Sequence, residues 1–348
     1  MRKNCNHIQI KTPAIGLLLV ATGLLGSPAI GQDLHFSQFF HNPLLTNPAN
    51  TGFNPDFDYR VGASYRSQWA SLPVPYETIS IWGDAQVFRD RFQTGWLGVG
   101  GVLLRDQAGV GNLTSTKGYL SVAWHQELGY TSLLSGGFNV GFANKSINPQ
   151  NFRWESQWAG KFFDANAPSG ESFARTNIGY FDLQAGINYA WFPNDDVYLN
   201  GGVSVMHVNT PNETFFNSKT VETRIPMRYN AFVNASMKVN ERWIVNPNIY
   251  YSQQASSREI VGGLMAQYYL GGWDVPKQVL GGVYYRWNDA AIGLVGLQWG
   301  NTRLTFSYDA TASTLTKFNG GNGAMEFSLI QQGLFSGSSP RDTRCPTF

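Results

Sequence analysis

Apolar and polar residues alternate along much of this chain, and the alternation constrains its fold more than any other feature. In Phe181–Tyr189 the apolar residues stand at odd positions and the polar or small residues at even ones. Side chains of a strand point alternately to opposite faces, so this pattern predicts strands with one apolar and one polar face. It recurs from Tyr59 almost to the end of the chain. We therefore predict an all-β protein whose closed sheet turns its apolar face outward into lipid.

The composition favours a membrane barrel over a soluble β-protein. Charged residues make up only 14% of the 348 residues, whereas soluble domains contain roughly 25%. The chain also has 16 Tyr, 11 Trp and 38 Gly, and Tyr and Trp rings prefer the membrane–water boundary. A secreted soluble β-protein such as a sandwich is the alternative at this point. The formal net charge of +2, with no basic block in the mature region, gives no support to a nucleic-acid partner.

Fourteen segments have the alternating pattern, which predicts a transmembrane antiparallel up-and-down β-barrel. The predicted strands are Tyr59–Gln68, Thr78–Phe88, Gly95–Arg105, Leu113–Glu127, Thr131–Phe142, Asn177–Phe192, Val197–Val208, Met227–Val239, Trp243–Gln253, Arg258–Tyr269, Val279–Trp287, Ala290–Gly300, Thr302–Asp309 and Ala324–Leu329. Most approach the ~9–11 residues that a tilted strand needs to cross the hydrocarbon. An open edge in lipid would leave backbone groups unpaired, so the sheet must close. Pro247 counts against the ninth segment because proline lacks the N–H that a ladder needs.

The predicted connections alternate in length, as they do in outer-membrane barrels. Those after even-numbered strands are short, and those after odd-numbered strands include the long segments 143–176, 209–226 and 310–323. Bacterial barrels have an even number of strands, short periplasmic turns and longer extracellular loops. We therefore expect a protein of the bacterial outer membrane with both termini in the periplasm and the long loops outside the cell.

The N-terminus has the features of a secretory signal. The basic residues Arg2, Lys3 and Lys11 come first. The apolar run Ala14–Leu25 is too short to span a bilayer, and the small residues of Ser27–Gly31 suit a signal peptidase. An uncleaved anchor is the alternative. We predict a signal peptide at residues 1–31, an N-terminal arm or plug at 32–58, the barrel at 59–331 and a periplasmic tail at 332–348.

The segment Asp33–Gly52 differs from the strands that follow it. It is rich in aromatic residues and has two Asn-Pro steps, which force extended or turn backbone. We predict an arm that folds into or across the periplasmic mouth of the barrel. A disordered tail is the alternative, although disorder favours a more polar composition.

The sequence has no catalytic, cofactor or metal motif that we recognise. His125 and His207 lie near strand ends with no carboxylate or serine motif beside them, and the other histidines lie in the signal or the arm. We therefore predict that the protein is not an enzyme and binds no cofactor and no metal. Cys5 is lost with the predicted signal, so Cys345 is left alone and no intramolecular disulfide is expected.

Two groups of side chains are candidates for interactions. Arg60, Arg66 and Arg286 are predicted to face the lumen. There they either form a charged channel or docking site, or pair with carboxylates such as Asp84 and Asp182. The predicted outer loop at residues 151–173, here called the aromatic loop, either binds a partner or packs on itself over the barrel mouth. Its large aromatic residues are Phe152, Trp154, Trp158, Phe162 and Phe163.

Short motifs at both ends of the chain resemble those of one known family. They read His35-Phe36-Ser37-Gln38-Phe39, then Asn47-Pro48-Ala49-Asn50-Thr51-Gly52, then Tyr65-Arg66-Ser67-Gln68-Trp69, and finally Cys345-Pro346-Thr347-Phe348. In this order they resemble the PorP/SprF family of Bacteroidetes outer-membrane proteins, which is associated with type IX secretion and gliding. The resemblance implies a structural role for the matching residues His35, Phe36, Ser37, Gln38, Phe39, Asn47, Pro48, Ala49, Gly52, Arg66, Trp69 and Cys345.

The resemblance also implies a function. It indicates a non-enzymatic barrel that helps a large surface adhesin, or other cargo with a C-terminal sorting domain, to reach the cell surface and stay attached. The implied partners are outer-membrane lipid, the secreted adhesin and type IX secretion components at the periplasmic face. A porin or hydrophobic-solute transporter is the alternative, and a barrel hydrolase with catalytic residues distant in sequence is a third hypothesis.

Overall fold

The structure is a computed structural model. It describes residues 33–335, except residues 55, 71–74, 90, 93, 110, 171–172, 174, 216–222 and 272–276. The predicted signal peptide, its cleavage site and Cys345 lie outside the described residues, as does most of the predicted C-terminal tail.

In the described part of the chain, fourteen long strands form one barrel. Their bounds are Tyr59–Gln68 (β1), Tyr76–Val87 (β2), Gly95–Ala108 (β3), Leu113–Glu127 (β4), Ser132–Ser146 (β5), Asn177–Asn194 (β6), Val197–Met206 (β7), Arg228–Lys238 (β8), Trp243–Gln254 (β9), Ser257–Tyr269 (β10), Lys277–Arg286 (β11), Ala290–Trp299 (β12), Thr302–Thr311 (β13) and Asn322–Gly333 (β14). Each strand pairs antiparallel with the next one in the chain, and β1 pairs with β14 to close the barrel. The predicted up-and-down barrel and its strand number are confirmed.

Side-chain alternation gives this barrel an apolar outer face and a mainly polar lining. In β1, Val61 and Tyr65 are exposed, whereas Ser64 and Arg66 are buried in the lumen. Burial alternates in the same way along β4 and β5. In a closed barrel the backbone N–H and C=O groups of every strand find partners on the neighbouring strands, and the apolar outer face suits lipid. A bilayer requires both.

The lumen also has an apolar core that the alternation did not predict. Large side chains from β8 to β12 point inward and surround the arm residue Phe39. They are Phe232, Tyr250, Val261, Met265, Leu280, Tyr284, Ile292 and Leu294. The Phe39 ring stacks on Tyr250 with 5.0 Å between the ring centroids. The lining is therefore built to hold an apolar segment as well as polar groups.

The two ends of the barrel differ in the lengths of their connections. The longest ones, residues 147–176, 207–227 and 312–321, follow odd-numbered strands and lie at one end, here called the long-connection end. The opposite, short-connection end has tight turns such as residues 195–196 and 300–301, and there β1 begins and β14 ends. The aromatic loop contains a small hairpin, Trp158–Ala159 paired with Phe162–Phe163. Within the described ranges, no helix is long and apolar enough to cross a membrane.

Pro247 lies inside β9 although it has no N–H, and its effect is visible in the strand pairing. It pairs with Leu264 of β10. On the other side, the pairing of β9 with β8 skips the two positions opposite Asn246 and Pro247. The loss of a ladder donor explains this gap. Proline therefore marks a weak point in the strand and not its end.

The segment Asp33–Asp58, here called the arm, lies inside the barrel and runs along the lumen. It starts near the long-connection end and reaches the short-connection end, where the chain enters β1. Its middle consists of two 3-10 turns, Phe39–His41 and Pro48–Asn50, on either side of one α-helical turn, Pro43–Thr46. The Pro43–Thr46 and Pro48–Asn50 turns pack mainly against β3 to β6, whereas Phe39 of the first turn contacts the apolar core from β8 to β12. The arm was predicted to fold into or across one mouth of the barrel. It instead occupies the lumen from the long-connection end to the short-connection end.

Candidate functional site: the lumen arm and the aromatic loop

A buried cluster of charged side chains holds the arm at the long-connection end. The Glu326 carboxylate accepts hydrogen bonds from the backbone N–H groups of Ser37 at 2.8 Å and Gln38 at 3.1 Å. The Ser37 hydroxyl donates to Asp309 at 2.6 Å and accepts from Arg66 at 2.7 Å. Buried charges are costly unless they are paired and hydrogen-bonded. This cluster therefore ties the start of the arm to β1, β13 and β14.

The three lumen arginines predicted from the sequence all have carboxylate partners. Arg60 forms an ion pair with Asp84, the predicted partner. Arg66 lies 3.1 Å from Asp309, and Arg286 lies 3.2 Å from the same carboxylate. Arg66 and Arg286 are buried in the lumen wall, and Arg60 is half-buried there. The pairing interpretation therefore describes these arginines better than an open charged channel does.

A second cluster at the same end holds the first described residue. Asp33 lies 2.6 Å from the Lys117 ammonium and 3.2 Å from His207 Nε2. His207 Nδ1 lies 2.8 Å from Asp182, which also accepts a hydrogen bond from Tyr119 at 2.6 Å. Burial works to raise the pKa of Asp33, but Lys117 and His207 hold it well below its ordinary value. Burial works to lower the pKa of His207, but its hydrogen bonds to Asp182 and Asp33 raise it.

Two arm histidines, in contrast, are uncharged at neutral pH. Burial, followed by the positive charges of Arg286 and Arg66, lowers the pKa of His35 well below its ordinary value. Burial, with Arg303 as a further cause, does the same to the pKa of His41. The arm therefore brings no cationic imidazole next to the arginines of the lining.

In the middle of the lumen, glycine makes room for the Asn-Pro-Ala step of the arm. A Cβ on Gly137 of β5 would lie 2.5 Å from the carbonyl oxygen of Pro48. Asn47 Oδ1 accepts from the Ala49 N–H at 2.9 Å and so caps the following turn. Asn47 Nδ2 donates to the Ile187 carbonyl of β6 at 2.9 Å. This motif residue therefore shapes the arm and attaches it to the wall.

Gly52 completes the same motif at the short-connection end. Its φ of 65° lies in the left-handed region, and a Cβ would lie 2.6 Å from Gly98 Cα. Both the conformation and the space therefore call for glycine. The Gly52 N–H donates to Asp84 at 2.7 Å, and its carbonyl accepts from the Trp96 indole at 3.0 Å.

Trp69, the last motif residue of the first strand, has a different position. It follows β1 directly with a φ of 55°, and its N–H donates to the Gly323 carbonyl at 2.7 Å. Its ring packs edge-on against Tyr76 at 5.1 Å. These contacts join the ends of β1, β2 and β14 at the long-connection end.

The structure brings His125 and His207 next to groups that no local motif revealed. His125 Nδ1 lies 2.7 Å from the Ser135 hydroxyl, and its Nε2 lies 2.7 Å from the Thr51 carbonyl. His207 binds Asp182, so the expected pairing of this carboxylate with an arginine is wrong. The strand register, which places His125 opposite Ser135, is the signal that would have found the first contact. Across the ranges that the structure describes, no group of three or more His, Cys, Asp or Glu side chains is arranged to hold a metal ion.

The aromatic loop lies at the long-connection end and has a packed part and an exposed part. Phe152 and Trp154 are half-buried, with their rings 5.3 Å apart. Phe163 packs edge-on against Trp158 at 5.6 Å across the small hairpin. Trp158 and Phe162 nevertheless remain 52% and 77% exposed. The loop therefore packs partly on itself while the rings of Trp158 and Phe162 keep much of their surface exposed.

A comparison with family models identifies most of the chain. The model described as type IX secretion system membrane protein PorP/SprF matches residues 29–330. The chain belongs to the PorP/SprF family. It is accordingly an outer-membrane β-barrel of the type IX secretion system, a class of secretion proteins rather than of enzymes. A comparison with curated proteins gave no match.

Several solved structures are similar to this PorP/SprF barrel at low sequence identity. The toluene transporter TbuX of Ralstonia pickettii is 10% identical, with a TM-score of 0.49, and the match covers 83% of this chain and 93% of that one. A FadL homologue of Pseudomonas aeruginosa is 8% identical, with a TM-score of 0.49 and coverages of 82% and 92%. These values support no conclusion about function.

Proposed function

We propose that this PorP/SprF barrel is not an enzyme. In this proposal it supports the secretion and surface attachment of a large adhesin, or of other cargo with a C-terminal sorting domain, in the type IX secretion and gliding apparatus. The observation that carries the proposal is the filled lumen, because a barrel occupied by its own arm suits an anchor better than a route for free diffusion. Lipid holds the barrel through its apolar outer face.

The unequal ends of the barrel support an orientation. In this proposal the short-connection end faces the periplasm, where other type IX secretion components meet its rim. The long-connection end then faces outside, since longer loops are extracellular in outer-membrane barrels. The aromatic loop would contact the cargo there, and its rings Trp158 and Phe162 are the candidate contacts. Exposed aromatic side chains are frequent hot spots of protein interfaces.

The test is copurification of the surface adhesin with variants of the barrel. We expect the double variant Trp158→Ser, Phe162→Ser to retain less than a tenth of the adhesin bound by the unaltered barrel. Tyr130→Ser removes a 91% exposed ring at the short-connection end and serves as the control. A deletion strain should leave the adhesin unsecreted or shed. Normal surface display in that strain would contradict the proposal.

The alternative function is a porin or hydrophobic-solute transporter. The observation in its favour is a cavity of about 200 Å³ that remains beside the arm. Conductance in planar bilayers separates the two functions, because a porin gives a steady open pore and an arm-filled anchor does not.

A further inference from the structure

The cavity beside the arm, here called the vestibule, lies in the short-connection half of the lumen. The Pro43–Thr46 and Pro48–Asn50 turns of the arm pack against β3 to β6. The vestibule has a volume of about 200 Å³ and is lined mainly by the opposite part of the wall, from β7 to β10 and at β13 and β14. Aromatic rings of the arm and the wall form much of its surface, including Phe40, Phe53, Phe57, Trp82, Tyr198 and Phe232. A molecule that fits this lining must present a large apolar surface.

Three amide side chains of the lining have carbonyl oxygens without a hydrogen-bond partner. They belong to Asn200 in β7, Asn234 in β8 and Gln267 in β10. Asn200 and Gln267 are only 7% and 2% exposed. Their NH₂ groups are already used, at 3.0 Å from the Tyr198 hydroxyl and at 2.6 Å from Asn246 Oδ1. Buried polar atoms in proteins nearly always have partners, so a ligand here should bring N–H or O–H donors.

Arg303 gives the vestibule a positive charge that no adjacent carboxylate neutralises; the other charged residues of the lining are Arg60 and, from the arm, Asp56. Its Nε and Nη2 donate to the neutral Gln298 amide at 2.9 and 2.6 Å. Among the residues that the structure describes, no carboxylate lies within 4 Å of this guanidinium. Arg60, which also lines the vestibule, is by contrast paired with Asp84. A single unpaired guanidinium suits a ligand with one negative charge, and a carboxylate matches its geometry.

We propose that the vestibule binds the C-terminal end of an apolar peptide. The peptide carboxylate pairs with Arg303, its backbone N–H groups donate to the free amide oxygens, and its side chains pack on the aromatic lining. A sugar acid would bring a carboxylate and donors, but too little apolar surface for this lining. A fatty acid would leave the amide oxygens unpaired. The vestibule and the aromatic loop lie at opposite ends of the barrel. Peptide binding in the vestibule and cargo binding at the aromatic loop can therefore be tested independently, and the failure of one leaves the other standing.

The test is calorimetric binding to the full barrel in lipid nanodiscs, with empty nanodiscs subtracted. The probe is acetylated alanyl-leucyl-phenylalanine with a free carboxylate, compared with the same tripeptide as its C-terminal amide. We expect the acid to bind at least tenfold more tightly than the amide. Equal affinities, or no binding of the acid at millimolar concentration, would overturn the proposal. Tighter binding of laurate or of a glucuronic acid disaccharide would also overturn it and assign a different ligand.

Variants locate the site within the lumen. Arg303→Gln should abolish the tenfold preference for the acid. An unchanged preference for the acid in this variant would overturn the proposal. Arg242→Gln, at an exposed arginine of the same end, should keep the preference. Asn200→Leu should weaken the binding of the acid and of the amide alike, because it removes a hydrogen-bond acceptor and leaves the charge of Arg303 in place. The comparison of acid with amide uses the unaltered barrel, so it decides the question even where a variant does not fold.

Discussion

Single residues hold the arm by paired charge at the long-connection end, and the pKa of one of them, His207, makes this attachment depend on pH. The pKa of His207 is raised in the folded barrel, relative to about 6.5 in an unfolded chain. Its contribution to stability is therefore fully present below about pH 6.5 and is lost as the pH rises through the folded value. The stability contribution of Asp33 changes with pH in the opposite direction, because the pKa of Asp33 is lowered in the folded barrel. Its contribution is present above about pH 3.9 and is lost as the pH falls through the folded value.

The pH dependence can be tested at His207. We expect His207→Gln to lower the unfolding temperature of the barrel more at about pH 5.5 than at about pH 8.5, because only the protonated ring donates to both Asp182 and Asp33. Hydrogen bonds to charged groups contribute about 1.5–3 kcal/mol, so the difference is measurable by heat-induced mobility shift on gels. His41→Gln is a control of opposite sign: because the pKa of His41 is lowered in the folded barrel, its neutral ring costs stability below about pH 6.5, so this substitution should be less damaging at about pH 5.5 than at about pH 8.5. Equal effects of His207→Gln at both pH values would count against the account.

At the scale of elements, the arm and the wall fit together through a glycine contact. A Cβ on Gly137 would lie 2.5 Å from the Pro48 oxygen and 2.7 Å from the Ala49 nitrogen, which are backbone atoms that no side-chain rotation can move. Overpacking of this kind costs about 1–3 kcal/mol. We therefore expect Gly137→Ala to loosen the arm and to speed chymotrypsin cleavage after its phenylalanines.

The neighbouring glycine provides a matched control for this prediction. A Cβ on Gly136 meets nothing within 4 Å, because this residue is on the exposed face of β5. Gly136→Ala should therefore leave the cleavage rate of the arm unchanged. Similar rates for Gly136→Ala and Gly137→Ala would mean that the arm does not press on β5 at this point.

The strands could be predicted from the sequence because lipid and lumen impose opposite demands on successive residues. The alternation in segments such as Phe181–Tyr189 follows directly from that. The path of the arm could not be predicted, because its contacts are distant in sequence, as between Ser37 and Glu326. The Asn-Pro steps correctly indicated turns, but no local pattern told whether they would lie at the mouth or deep inside. Inward-facing apolar residues such as Leu280 also depend on the arm that they contact.

At the scale of the whole molecule, the chain combines a lipid-facing barrel, a lumen filled from within and long connections at one end. The arm is attached by charge pairs near its start, by Asn47 in its middle and by Gly52 near β1. These attachments are spread over the length of the lumen, so no single one has to hold the arm alone. A PorP/SprF barrel built in this way is suited to holding a partner at the membrane, which is the function proposed above.

The decisive measurement is the conductance of the purified barrel in planar lipid bilayers. Because the arm occupies the lumen from Asp33 to Asp58, we expect no steady ohmic conductance from the unaltered protein at neutral pH. Removal of residues 33–54 should produce a steady pore, which serves as the positive control for insertion. A steady open pore from the unaltered protein would contradict the account and favour the porin function instead.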